Sequence, residues 1–64
     1  MFYNVAQIAS YGSRQLFLIK GADNIPMVSV YDEHNGHTLM RACESNFDNI
    51  KHAMLVLETG ENDG

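Results

Sequence analysis

A chain of 64 residues holds one domain, and folding at this length buries only about 60% of the unfolded surface, so the fold is marginal without help. Eight acidic against four basic residues give a formal net charge of −4, which argues against a sequence-independent grip on nucleic acid, where Lys and Arg must neutralise phosphates. A lone cysteine, Cys43, excludes an internal disulfide, and no apolar run approaches the roughly 20 residues of a membrane span.

The hydrophobic fraction of 45% and charged fraction of 19% are those of a folded chain rather than a disordered one. The opening Met-Phe-Tyr-Asn-Val has neither the basic nor the apolar region of a leader. The expected setting is therefore cytoplasmic and reducing, with Cys43 a small core residue. Residues 1–64 read as one complete small α+β domain, with residues 60–64 a polar, frayed tail.

The N-terminal third supports two readings. Residues 15–20 form a nearly continuous apolar run, consistent with a buried strand. Residues 2–9 then pair with it as a hairpin, turning through Ser10-Tyr11-Gly12-Ser13. In the second reading residues 4–20 are helical. Asn4-Val5-Ala6-Gln7-Ile8-Ala9, a glycine-containing turn, then Ser13-Arg14-Gln15 loosely resembles the N-terminal motif of LacI-type repressors. Those proteins run Val-Ala-x-x-Ala into a turn and then Ser-x-Gln. The resemblance implies a helix-turn-helix DNA-binding regulator using residues 4–20, with Arg14, Gln15 and Lys20 reaching DNA. The departure is Leu16-Phe17-Leu18-Ile19, which leaves no polar face for the major groove.

Gly21 and residues 22–26 form a loop. Asn35-Gly36 is the strongest short hairpin signal, because a type I′ turn needs positive φ at both central positions. The flanks, residues 27–31 and 38–43, favour strands. A two-residue turn sets His34 opposite His37, Asp32 opposite Leu39, Val30 opposite Arg41 and Val28 opposite Cys43. The other face pairs Glu33 with Thr38, Tyr31 with Met40, and Ser29 with Ala42. Neither face is cleanly polar.

The C-terminal third predicts one amphipathic helix over residues 46–59. Ser45-Asn46-Phe47-Asp48 fits a capping box, with Ser45 as the N-cap. Phe47, Ile50, Met54 and Leu57 recur at spacings of three, four and three, and Ala53 widens that stripe. Gly60 is the natural residue just past the end. The predicted fold is thus a small antiparallel β-meander of three to four strands, followed by one C-terminal amphipathic helix packed on one sheet face.

No residue pattern matches a catalytic, metal or cofactor site. His34 and His37 flank the hairpin tip but fall short of the three or four ligands zinc needs, and read as solvated turn residues. Cys43 and His52 lack a group to orient the base. The expectation is a non-enzymatic protein-binding module with no cofactor and no metal. One helix covers only one sheet face, so an uncovered face carrying Met27, Tyr31 and Met40 is the expected contact surface. Asp32, Glu33 and Glu44 supply its acidic margin. The expected partner is another protein, a basic nucleic-acid-binding protein among them, or a second copy joined through the uncovered face as a homodimer. Direct nucleic-acid or membrane binding is not expected. Size and acidity place the chain beside the small anti-CRISPR and polymerase-inhibiting proteins by which phages and mobile elements occlude host nucleic-acid machinery, an analogy of class alone. A small adaptor or subunit of a larger complex is the alternative.

Overall fold

The computed structural model describes residues 4–21 and 23–61. In chain order it contains β1 (Asn4–Tyr11), β2 (Arg14–Lys20), β3 (Pro26–Asp32), β4 (His37–Glu44) and α1 (Phe47–Thr59). The strands form one antiparallel sheet in the order β1-β2-β3-β4, and α1 packs on one face of it. The meander-plus-helix fold predicted from the sequence is the one observed.

Residues 4–20 are two strands, which overturns the helix-turn-helix reading. The run Leu16-Phe17-Leu18-Ile19 explains why. At period two it sends Leu16 and Leu18 to the helix-covered face and Phe17 and Ile19 to the other. The connecting turn is tighter than expected: Tyr11 pairs with Arg14, leaving only Gly12 and Ser13 between the strands. Gly12 has φ of 63° and Ser13 does not have positive φ, the pattern of a type II′ hairpin turn. Strand β1 accordingly runs to Tyr11 rather than stopping at Ala9. Phe2, at the predicted start of that strand, lies outside the described residues.

The β3–β4 connection departs from the expected type I′ turn. Asp32 pairs with His37, and four residues, 33–36, span the gap. Gly36 has φ of 70°, whereas Asn35 is not in the left-handed region. The Gly36 amide donates to the Asp32 carbonyl at 2.8 Å. The cause is the Asp32 side chain. Its carboxylate accepts from the His34 amide at 3.0 Å and from the Asn35 Nδ2 at 2.9 Å, which winds the loop around itself.

Register is corrected with it. Val28 faces Cys43 as predicted, but Val30 faces Met40 instead of Arg41, Tyr31 faces Thr38, and Asp32 faces His37. The four-residue loop offsets the pairing by two residues at Asp32 and His37, and two register shifts bring it back to the predicted register by Val28 and Cys43. Each extra residue reverses the faces beyond it. Met40, predicted on the uncovered face, is therefore 5% exposed in the core under α1.

The core comprises Leu16, Val28, Val30, Met40, Ala53, Val56 and Leu57, with Ala9, Leu18, Leu39 and Cys43 packed around it. Fully burying a Val or Leu side chain contributes about 1.5–3 kcal/mol, so these few residues carry much of the fold.

Helix α1 buries Leu57 and Ala53 of the predicted stripe but turns the rest of it outward. Ala53, Val56 and Leu57 are buried, while Phe47, Ile50, Met54 and Leu55 are exposed. At about 100° per residue the buried side is rotated by roughly 90° from the predicted stripe. Polar contacts at both ends accompany that orientation. At the start, the Ser45 amide donates to the Pro26 carbonyl at 2.9 Å, prolonging the sheet. The N-cap therefore falls to Asn46, whose Oδ1 accepts from the Asn49 amide at 2.8 Å, correcting the Ser45 assignment. Asn49 Nδ2 then donates to the Glu44 carbonyl at 2.9 Å, turning Asn49 toward β4. At the far end Arg14 Nε donates to the Leu57 carbonyl at 2.7 Å, and its NH2 to the Glu58 carbonyl at 2.9 Å. A guanidinium there satisfies carbonyls that have no intrahelical donor and complements the helix dipole. Gly60, with φ of 76°, ends the helix against Arg14.

Candidate interaction surface

The six residues expected to meet a partner do not share one surface. Met27 and Tyr31 lie half-buried on the sheet face away from α1, opposite Ile19 and Gln15 of β2 respectively. Glu44 is exposed at the end of β4, opposite Met27. Glu33 is exposed in the loop after β3 and accepts from Gln15 Nε2 at 2.7 Å. Met40 is in the core. Asp32 is turned inward and is 8% exposed.

Asp32 is a structural hub. Besides holding its own loop, its Oδ1 accepts from the Ser13 hydroxyl at 2.9 Å, and the Glu33 amide donates to the Ser13 carbonyl at 3.0 Å. The two hairpin turns at this end of the sheet are thus tied together. The Ser13 hydroxyl leads the hydrogen bonds that hold the Asp32 carboxyl below its ordinary 3.8, against a desolvation that pushes the other way.

The acidic side chains do not converge. Asp32 and Glu33 lie at one end of the β3–β4 pair and Glu44 at the other, separated by the length of β4, about 24 Å at the usual strand rise. Glu44 does lie beside the start of α1, where Asp48 occupies the first turn.

His34 and His37 are both exposed. Among the described residues no three His, Cys, Asp or Glu side chains are grouped to hold a metal ion. Cys43 lies beside the core, its thiol 3.9 Å from the Val28 carbonyl, and burial raises its pKa. A protonated, half-buried thiol is a poor nucleophile. No described side-chain nitrogen or oxygen is buried without a hydrogen-bond partner. No helix among the described residues is long and apolar enough to cross a membrane.

The largest apolar exposure is on α1, where the sequence reading put the core. Phe47 is 78% exposed, Leu55 55%, Met54 45% and Ile50 38%. Phe47, Ile50 and Met54 stand at i, i+3 and i+7 on one side of the helix. Asp48, Lys51, His52 and Glu58 join Met54 and Leu55 around a shallow depression on that outer surface. The signal was present in the sequence, since Asn49, Ala53, Val56 and Gly60 form a second stripe of the same period. Its small residues suit close packing on a sheet, while the bulkier stripe carries the stronger apolar period.

No protein-family model, curated protein or solved structure matches this chain.

Proposed function

We propose that this chain is a non-enzymatic protein-binding module that acts in the cytoplasm by occupying a surface of a larger partner. The observation that supports it is the exposed stripe Phe47, Ile50 and Met54, with Leu55 beside it. Single exposed apolar residues are ordinary on a protein surface. Bulky residues repeated at helical spacing, rimmed by Asp48, Lys51 and Glu58, are the arrangement by which a helix lies in an apolar groove. The half-buried Met27 and Tyr31 on the outer sheet face offer a second, flatter surface of the same kind.

The reading has two narrower forms. In one, the chain is a phage or mobile-element inhibitor that occludes a basic surface of nucleic-acid machinery. In the other, it is an adaptor or standing subunit of a complex. The spread of Asp32, Glu33 and Glu44 favours apolar contact over charge as the source of affinity. Salt separates the two forms, because a charge-led complex weakens as salt rises and an apolar one does not. The charge test uses Glu33→Gln with Glu44→Gln, leaving Asp32 to its internal role.

The direct test compares the wild-type chain with a Phe47→Ser, Met54→Ser variant as baits in extract of the source cell. Both should give the same circular dichroism spectrum and melting profile. The reading expects a specific protein retained by the wild type and lost by the variant. Retention of the same protein by both baits, or by neither, overturns the α1 surface.

A further inference from the structure

We propose that β1 is a self-association edge, through which two copies of this chain pair antiparallel and join their four-stranded sheets into one. The inference does not rest on the α1 stripe, which stays exposed in such a dimer. It starts from the unequal edges of the sheet. Strands β1 and β4 each have one unpaired side among the described residues. Strand β4 is guarded in the usual ways, with two register shifts and with His37, Arg41 and Glu44 along its length. Strand β1 reads Asn-Val-Ala-Gln-Ile-Ala-Ser-Tyr, eight residues with no charge and no proline. Its single irregularity is at Ile8. Val5, Ile8 and Tyr11 are each about half exposed along it.

Charge and symmetry select a second copy as the occupant. Two chains of net charge −4 repel, and can meet closely only where the charge is absent. All eight acidic residues lie outside β1, and two of the four basic ones, Arg14 and Lys20, lie on the adjoining β2. An antiparallel strand pairing with itself closes under two-fold symmetry, which caps the assembly at a dimer and leaves the guarded β4 edges outermost. Ala6 and Ala9 face the helix side through their pairing with Leu18 and Leu16, while Val5 and Ser10 face outward with Ile19 and Gln15. A register that sets Ala6 across from Ala9, and Val5 across from Ser10, keeps both faces matched between copies. The gain is greatest for a chain this short, whose core is small.

Light scattering and sedimentation of the full chain from micromolar to millimolar concentration test the proposal. The wild type should reach twice the 7.2 kDa chain mass. Val5→Lys with Ile8→Lys should raise the dimer dissociation constant by more than about tenfold, since lysines on an edge block strand addition. Amide exchange on the wild type gives a readout free of variants: β1 amides should slow as concentration rises, and β4 amides should not. A wild type that stays monomeric at all concentrations overturns the proposal, including when it still captures a partner through α1. So does a dimer that survives the lysines, or one dissolved by Phe47→Ser with Met54→Ser instead. If the lysine variant does not fold, the exchange result decides alone.

Discussion

The two sides of α1 are similar in hydrophobicity and opposite in fate. One side, Ala53, Val56 and Leu57, is buried against the sheet. The other, Phe47, Ile50 and Met54 with Leu55, faces solvent and contains the larger side chains. Hydrophobic transfer alone would bury the larger set, because apolar area removed from water sets the gain. The smaller set fits closely against the sheet, and in this orientation the helix also makes polar contacts at both ends. Asn49 donates to the Glu44 carbonyl, and Arg14 to the carbonyls of Leu57 and Glu58. A hydrogen bond of this kind contributes about 0.5–1.5 kcal/mol net. Close packing and these contacts act together, and the larger apolar stripe stays at the surface.

The largest test of this comparison is under the buried side. Leu16 is 1% exposed beneath α1, and Leu16→Ala should cost about 2–5 kcal/mol. A chain of this length has only about 3–10 kcal/mol in total at 0.05–0.15 kcal/mol per residue. Urea denaturation should find the unfolding free energy lowered by that amount, with no native baseline left if the wild type lies at the low end of the range. A loss below about 1 kcal/mol would mean that α1 is not seated as described.

The clamps come next. Gly60→Ala forces a side chain into the left-handed region, and the new Cβ meets the Arg14 guanidinium. The expected loss is about 1–3 kcal/mol, read by thermal melting. Arg14→Ala removes the same clamp from the other side, and the two losses should fall short of additive. Additive losses would separate Gly60 from the clamp.

At the same end of the sheet, Asp32 gives a pH signature. Its folded carboxyl titrates below the ordinary 3.8. As pH falls past that ordinary value, the unfolded chain takes up the proton before the native one does. Stability is therefore fully present above about pH 4, and its loss is complete below the folded value. Asp32→Asn should flatten the fall in melting temperature between pH 4 and pH 2. An unchanged slope would assign the acid sensitivity to other carboxylates.

The smallest effect belongs to the exposed side. Phe47→Ser should move stability by no more than about 0.5 kcal/mol, as for other surface positions, while abolishing partner capture. A large stability loss there would break the comparison, because it would show the exposed stripe to be packed.

The elements were legible wherever local chemistry decides. Period-two alternation through Leu16–Ile19, Gly12 at a turn, and a 3.6-residue period ending at Gly60 each report their own backbone. Val28 opposite Cys43 agrees with the count from Asn35-Gly36 only because two register shifts cancel the offset that the four-residue loop introduces. Met40 is not legible, since the wider loop and one register shift lie between it and the turn, and nothing local in Thr38–Ala42 announces them. Asp32 was misread for a related reason. As a residue type it is a surface acid, and only its spatial neighbours, Ser13 from another hairpin among them, make it an internal acceptor. From the residues alone follow the C-terminal helix, the β3–β4 hairpin, a meander of three to four strands and the lack of charge on residues 4–11. Which side of β4 and of α1 is buried rests on the tertiary structure, because it depends on the strand register and on how closely the helix side chains fit the sheet.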